Sequence, residues 1–223
     1  MIVYHGSDHI IEKPVYNGSK RNNDYGYGFY TTESLELAKE WACGDARDGF
    51  ANMYEFDTKG LNILDLNAPG YSILNWLAIL AKHRTYWQNN AISEEAKEYL
   101  QKYFYVDLEA YDVIKGYRAD DSYFSFAQDF VAGTISLSKL SSAMRLGNLG
   151  EQIVLKSPKA FENIVFVDAK KAEAATYYEK KLSRDKEARR AYRQTKTTAD
   201  NVNELFMIDI LREEIKNGDP RLR

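Results

Sequence analysis

The chain of 223 residues has one cysteine, four prolines and three histidines. A single thiol, Cys43, excludes an internal disulfide and any cysteine-rich zinc site, which agrees with a reducing cytoplasm. His5, His9 and His83 lack a metal-ligand spacing, and Gly6 and Ser7 argue against a helix face shared by the first two, so no metal is expected. Long apolar runs are also missing. The longest, Ile73–Ala81, is broken by Asn75 and falls well short of the ~20 residues that a membrane span needs. The chain opens at Ile2-Val3-Tyr4 without the basic and then apolar leader of a signal peptide. The expectation is a cytoplasmic protein that does not enter a membrane.

What is present is apolar and aromatic. With 44% hydrophobic and 13% aromatic residues the chain can bury a sizeable core as one domain with an appendage. The net charge of −3 hides an asymmetry: residues 170–196 hold ten Lys and Arg against four Asp and Glu, so a mildly acidic body carries one basic segment. Met1–Tyr4, Asn52–Asp57, Gln152–Lys156 and Asn163–Asp168 read as strands. Ser34–Ala46, Tyr71–Lys82, Ser93–Phe104, Ser122–Ala132 and Leu137–Leu146 read as helices, the first capped by Thr32 or Ser34. Strands at both ends with helices between them make an α+β pattern. After Asp168 the composition shifts to charged helix formers, and Asn201–Lys216 repeats a helical period. Two regions are therefore expected, a domain over 1–168 and a C-terminal helical hairpin over 169–223.

Three stretches carry chemistry: Tyr4-His5-Gly6-Ser7, Tyr25-Gly26-Tyr27-Gly28-Phe29-Tyr30-Thr31-Thr32 and Leu149-Gly150-Glu151-Gln152-Ile153-Val154-Leu155. Singly each has an ordinary reading, as a turn, a polar loop and a polar strand end. The glycine loop does not match a dinucleotide or phosphate-loop spacing. Their order is what matters. The chain resembles the His-Tyr-Glu branch of the ADP-ribosyltransferase superfamily, to which the poly(ADP-ribose) polymerases belong. In that branch a first strand ends in His-Gly, here His5-Gly6, and a glycine loop leads into Gly-φ-Tyr, here Gly28-Phe29-Tyr30. Eleven residues later the polymerases place a second aromatic, and here that position is Trp41.

The chain looks more closely still like an uncharacterised bacterial family within this superfamily. That likeness rests also on Tyr111-Asp112-Val113-Ile114, on Arg118-Ala119-Asp120-Asp121-Ser122-Tyr123, on Leu149-Gly150-Glu151-Gln152 and on Arg184-Asp185-Lys186-Glu187-Ala188-Arg189. Members commonly lie beside a small companion gene, as toxins do with antitoxins. The resemblance implies a split β-sheet core with inserted helices, NAD as substrate, and an intracellular bacterial toxin that transfers one ADP-ribose to a protein or a nucleic acid. A small antitoxin protein is the implied partner. NAD glycohydrolysis in the same pocket, or a catalytically silent module that binds NAD or a partner, are the alternatives.

The chemistry gives each residue a reason. The nicotinamide ring is flat and cationic before cleavage, so Tyr30 and Trp41 can sandwich it. Gly6 has no side chain, and its backbone can approach the carboxamide closely. By resemblance His5 holds the adenosine ribose hydroxyl, with Ser7 assisting, and Gly28 belongs to the cofactor-binding loop. Glu151 and Gln152 alternate in facing along a strand, so one of them faces the cleft. The polymerase pattern favours Glu151, the bacterial family's pattern Gln152, and we take Gln152 with Glu151 as the alternative. A glutamine can orient substrate but is no general base at neutral pH, so elongation of a polymer is not expected. Asp120-Asp121 reads either as a helix N-terminus or as a hold for a basic group. The basic segment with Tyr177, Tyr178 and Tyr192 reads as a packed, solvated helix, with partner or nucleic-acid binding as its other reading.

Overall fold

The computed structural model describes residues 1–84, 91–119, 121–146, 150–200 and 203–222. The strands and helices are, in chain order, β1 (Ile2–Ser7), β2 (Phe29–Thr31), α1 (Leu35–Ala42), β3 (Gly49–Phe56), β4 (Ile63–Asp65), α2 (Ile73–His83), α3 (Ala91–Tyr103), β5 (Val113–Tyr117), α4 (Asp121–Val131), α5 (Leu137–Ala143), β6 (Glu151–Leu155), α6 (Pro158–Glu162), β7 (Ile164–Ala172), α7 (Ala174–Thr197) and α8 (Met207–Arg212). The chain is α+β. One sheet has the order β1-β3-β7 and the other β2-β6-β5-β4. Among the described residues only β4 and β5 run parallel.

Two sheets in contact bury one face of each. Val3, Tyr54 and Phe56 of the first sheet pack with Phe29, Ile153 and Leu155 of the second. The larger core lies on the helical side, around α2. That helix is apolar all round, as a helix enclosed by its neighbours must be. Asn75, which interrupts the apolar run, has a local duty: its Oδ1 accepts from the Ser72 amide at 2.7 Å, closing the N-terminal capping box. Its amide donates to the Phe104 carbonyl at 2.8 Å. Of the two caps offered for α1, Ser34 takes the role, accepting from the Leu37 amide at 3.2 Å. Cys43 and His83 both pack, Cys43 buried against Ala172 and Ala174 and His83 against Gly26.

The strands and helices expected from pattern are present with shifted ends. β2, β4 and α6 were not expected, because three to five residues are too short to display a period. β5 sits where only a motif was read. The largest difference is C-terminal. The composition break after Asp168 falls inside β7, which pairs with β3 as far as Ala172. Pairing with a neighbouring strand outweighs the local helix preference of Lys170 and Lys171. Among the described residues the two C-terminal helices pack chiefly on other helices. α7 lies on α1 and α5, whereas the shorter α8 lies on α3, where Tyr99 Oη donates to the Ile215 carbonyl at 3.2 Å. Ala188, Tyr192, Met207 and Ile210 share the main core, so the segment is built into the body. Asn201 and Val202, with which that expected helix began, lie outside the described residues.

Ion pairs and aromatic contacts fix α7. Tyr192 stacks on Phe126 with ring centroids 3.8 Å apart and donates its hydroxyl to Asp129 at 2.6 Å. Arg184 pairs with the buried Glu40 of α1, and Lys180 reaches Glu36 at 3.1 Å on the surface. Removing the partner of a buried charge is far costlier than removing that of an exposed one. Arg184→Met should therefore lower stability by about 3 kcal/mol, and Lys180→Met by less than about 1 kcal/mol. Urea unfolding of the two variants measures the difference.

Candidate functional site

Among the described residues the backbones of the two sheets are joined by a bridge in which the Tyr4 and Thr32 amides and carbonyls bond reciprocally at 2.8 and 3.0 Å. Beyond it β1 and β2 diverge. Continuing that antiparallel register would set Gly6 opposite Tyr30 with both backbone bonds exchanged. His5 stands in that place instead: its Nδ1 lies 2.7 Å from the Tyr30 carbonyl oxygen, the acceptor that the ladder would use. On the other side of β1, Met1 and Phe56 exchange bonds at 2.8 and 2.9 Å. The alternation that follows points the amides and carbonyls of Val3, His5 and Ser7 at β3 and those of Gly6 away from it. The main chain of Gly6 therefore faces a cleft of about 1170 Å³, above the ~300–1,000 Å³ usual for small-molecule sites.

A carbonyl only accepts, so the proton of His5 sits on Nδ1 and Nε2 is left as an acceptor. Burial pushes the His5 pKa below its ordinary value of 6.5, outweighing the upward pull of the Tyr30 carbonyl. The imidazole is neutral and lies on Phe29, ring centroids 4.4 Å apart. Tyr30 also lines the cleft. Its hydroxyl donates to the Gly26 carbonyl at 2.6 Å and accepts from the Tyr25 amide at 3.1 Å. Burial raises its pKa strongly, so the phenol is committed to shaping the loop and its ring face is what the cleft can use.

Trp41 lines the same cleft from α1, and the Arg118 guanidinium sits over its ring, 3.7 Å from the centroid. That contact demonstrates a ring face suited to a flat cation. Gly6 lets α1 come this close: a β-carbon there would run into the Ala38 carbonyl oxygen and approach the Ala42 amide and Trp41 Cβ. The need for glycine is thus packing first, with the open edge as its consequence. Gly28 lines the cleft too, where a β-carbon would meet Val154 of the neighbouring β6.

The third motif separates its two polar residues. Gln152 is 6% exposed, lines the cleft, and its Oε1 has no hydrogen-bond partner among the described residues. Glu151 faces the other way, bonded to Lys115 at 2.9 Å and Asn67 at 2.5 Å. Glu151 is therefore not a cleft residue, because strand alternation gives that face to its neighbour. Ser7 is likewise turned aside: its hydroxyl donates to the His9 carbonyl and accepts from Asn52 at 2.9 Å, outside the cleft lining. Leu149 and Asp120 lie outside the described residues, and Asp121 opens α4.

Several cleft residues escaped sequence reasoning, among them the 10–15 segment and two further groups. Asp24 is 4% exposed and accepts from Arg84 Nε and from the Ala119 amide, both at 2.9 Å, while Arg84 Nη2 donates to the Ala119 carbonyl at 2.8 Å. Burial pushes the Asp24 carboxyl up and Arg84 pulls it down. This knot ties the glycine loop to the segment that carries Arg118. The partners are 60 and 95 residues from Asp24, and an aperiodic loop gives no sign of them. The second group is on α7, where Lys181, Leu182, Asp185 and Arg189 form a wall. Among the described residues no group of three His, Cys, Asp or Glu could hold a metal ion, and no helix is long and apolar enough to cross a membrane.

Gly6→Ala should destabilise by about 1–3 kcal/mol through overpacking against α1, and it should change Trp41 emission; urea melts followed by tryptophan fluorescence read both. His5 gives a pH signature. The folded chain resists a proton that the unfolded chain accepts at about 6.5, so the His5 contribution to stability is complete above that value and falls away as pH drops below it. Nitrogen-15 spectra should show an Nδ1-protonated, neutral ring at pH 7 that charges only below 6.5.

Comparison with curated proteins and with solved structures gives no match. A family model does match, over residues 1–166, which includes β1, the glycine loop, Trp41, Arg118 and Gln152 and ends before α7. By that match over most of its length the chain belongs to the family described as protein of unknown function (DUF3990).

Proposed function

We propose that the chain is an NAD-dependent mono-ADP-ribosyltransferase that works in the cleft between the two sheets. The observation that carries this is the Gln152 Oε1, buried without a partner, in a cleft also lined by His5, Gly6, Tyr30 and Trp41. A buried carbonyl oxygen left unpaired is destabilising unless a ligand meets it. The neutral His5 Nε2 is an acceptor suited to a ribose hydroxyl. Gly6 presents both a donor and an acceptor, the complement of a carboxamide. The Trp41 face already receives a planar cation. These four features fit NAD, as the resemblance to the His-Tyr-Glu branch implies.

In this reading the bond between ribose C1′ and the nicotinamide nitrogen breaks, its electron pair leaving with neutral nicotinamide. Positive charge develops on C1′, and in this reading the amide oxygen of Gln152, a residue of the cleft lining, stabilises it. The acceptor's nucleophilic atom forms the new bond at C1′ and gives up its proton. Gln152 accepts no proton at neutral pH, which accords with a single transfer rather than a growing polymer. Role as a toxin, with a small antitoxin protein as partner, is proposed from the resemblance alone, as is a cytoplasmic location.

Incubating the protein and a cell lysate with NAD labelled in the adenylate half tests the reaction. Label on a protease- or nuclease-sensitive macromolecule supports transfer, free labelled ADP-ribose supports glycohydrolysis, and unchanged NAD refutes both. Gln152→Ala should abolish nicotinamide release, whereas Glu151→Ala, on the opposite face, should reduce it only modestly. The reverse ranking would contradict the proposal.

A further inference from the structure

α7 lies beyond the residues that carry the family match, yet it walls the cleft. Lys181, Asp185 and Arg189 recur at every fourth position and so share one helix face. Three of the eight cations along the helix are engaged elsewhere: Lys180 with Glu36, Arg184 with Glu40, and Lys196 with Asp129. Lys181 differs. It is half-buried, lines the cleft, and has no acidic partner among the described residues. Arg189 gives its Nε to Asp185 Oδ2 at 2.9 Å, which orients the guanidinium and leaves its two terminal nitrogens without another partner among the described residues.

We propose that this face of α7 is the diphosphate subsite of the cleft, where Lys181 and Arg189 hold the two phosphates of a dinucleotide. The proposal rests on the NAD reading above. A guanidinium fixed through Nε presents a two-nitrogen fork that matches phosphate oxygens, and an ammonium adds a point charge. Leu182, half exposed at the same rim, offers an apolar surface to a nucleoside beside the phosphates. The wall is rigid because Arg184, between Lys181 and Asp185 in sequence, is pinned to Glu40 in the body. The basic segment therefore takes part in holding substrate, where its composition alone suggested a solvated face or a partner's surface.

Calorimetric titration of the full chain with NAD, ADP-ribose and nicotinamide tests the subsite. Lys181→Gln/Arg189→Gln should weaken NAD and ADP-ribose by about 10- to 100-fold, the loss of one or two charge-assisted bonds, and leave nicotinamide unchanged. Lys186→Gln/Arg190→Gln, on the same helix but outside the cleft lining, should change none of the three. Wild-type protein that binds ADP-ribose no more tightly than the first variant overturns the subsite and leaves the NAD reading standing. An equal loss for nicotinamide also overturns it, since that would mark a general distortion. A wild-type chain that binds neither NAD nor ADP-ribose overturns both.

Discussion

The bond from His5 Nδ1 to the Tyr30 carbonyl is the contact on which the cleft depends. Two strands that begin to pair at Tyr4 and Thr32 would ordinarily continue to do so, because each further pair satisfies two backbone groups. A side-chain donor placed one residue past the bridge takes the next acceptor, where the ladder ends. The sheets split there, and the edge of β1 is left facing a space rather than a strand. His5 therefore has a structural reason to be histidine, independent of any ligand. The same bond fixes its tautomer and turns a lone pair outward.

Close packing supports that opening from behind. Gly6 brings α1 against β1, which sets Trp41 at the mouth of the cleft. The Asp24–Arg84–Ala119 knot holds the loop before Tyr30 and the segment carrying Arg118 in fixed relation. α7, clamped through Glu40 and Asp129, closes the far side. Each wall comes from a different part of the chain, and α7 is anchored by residues outside the cleft lining. Walls held in this way would lower the ordering entropy that binding of the proposed ligand must overcome.

The sequence made some of this plain and concealed the rest for identifiable reasons. β3 and α2 were legible because their apolar residues recur at a strand or helix period, and β1 and β6 because short apolar or β-branched runs are bounded by turn residues. β2 and β4, at three residues, have no period to display. Motif order named His5, Tyr30, Trp41 and Gln152, which line one cleft, and strand alternation allowed only one of Glu151 and Gln152 to face it, a choice that the motif pattern tilted to Gln152 and the facing of β6 agrees with. Asp24 was hidden because its partners are distant in sequence and its loop aperiodic. The basic segment misled through composition: ten basic residues within 170–196 resemble a solvated face, and which of them are neutralised by Glu36, Glu40 and Asp129 is a tertiary fact.

The most direct measurement is a crystal structure of the chain with a non-cleavable NAD analogue. The account predicts the carboxamide on the Gly6 main chain, the nicotinamide ring against Tyr30 and Trp41, and the Gln152 amide oxygen toward the adjoining ribose. An analogue bound elsewhere, or a β1 edge from Gly6 onward paired to Tyr30 with no cleft between, would contradict it.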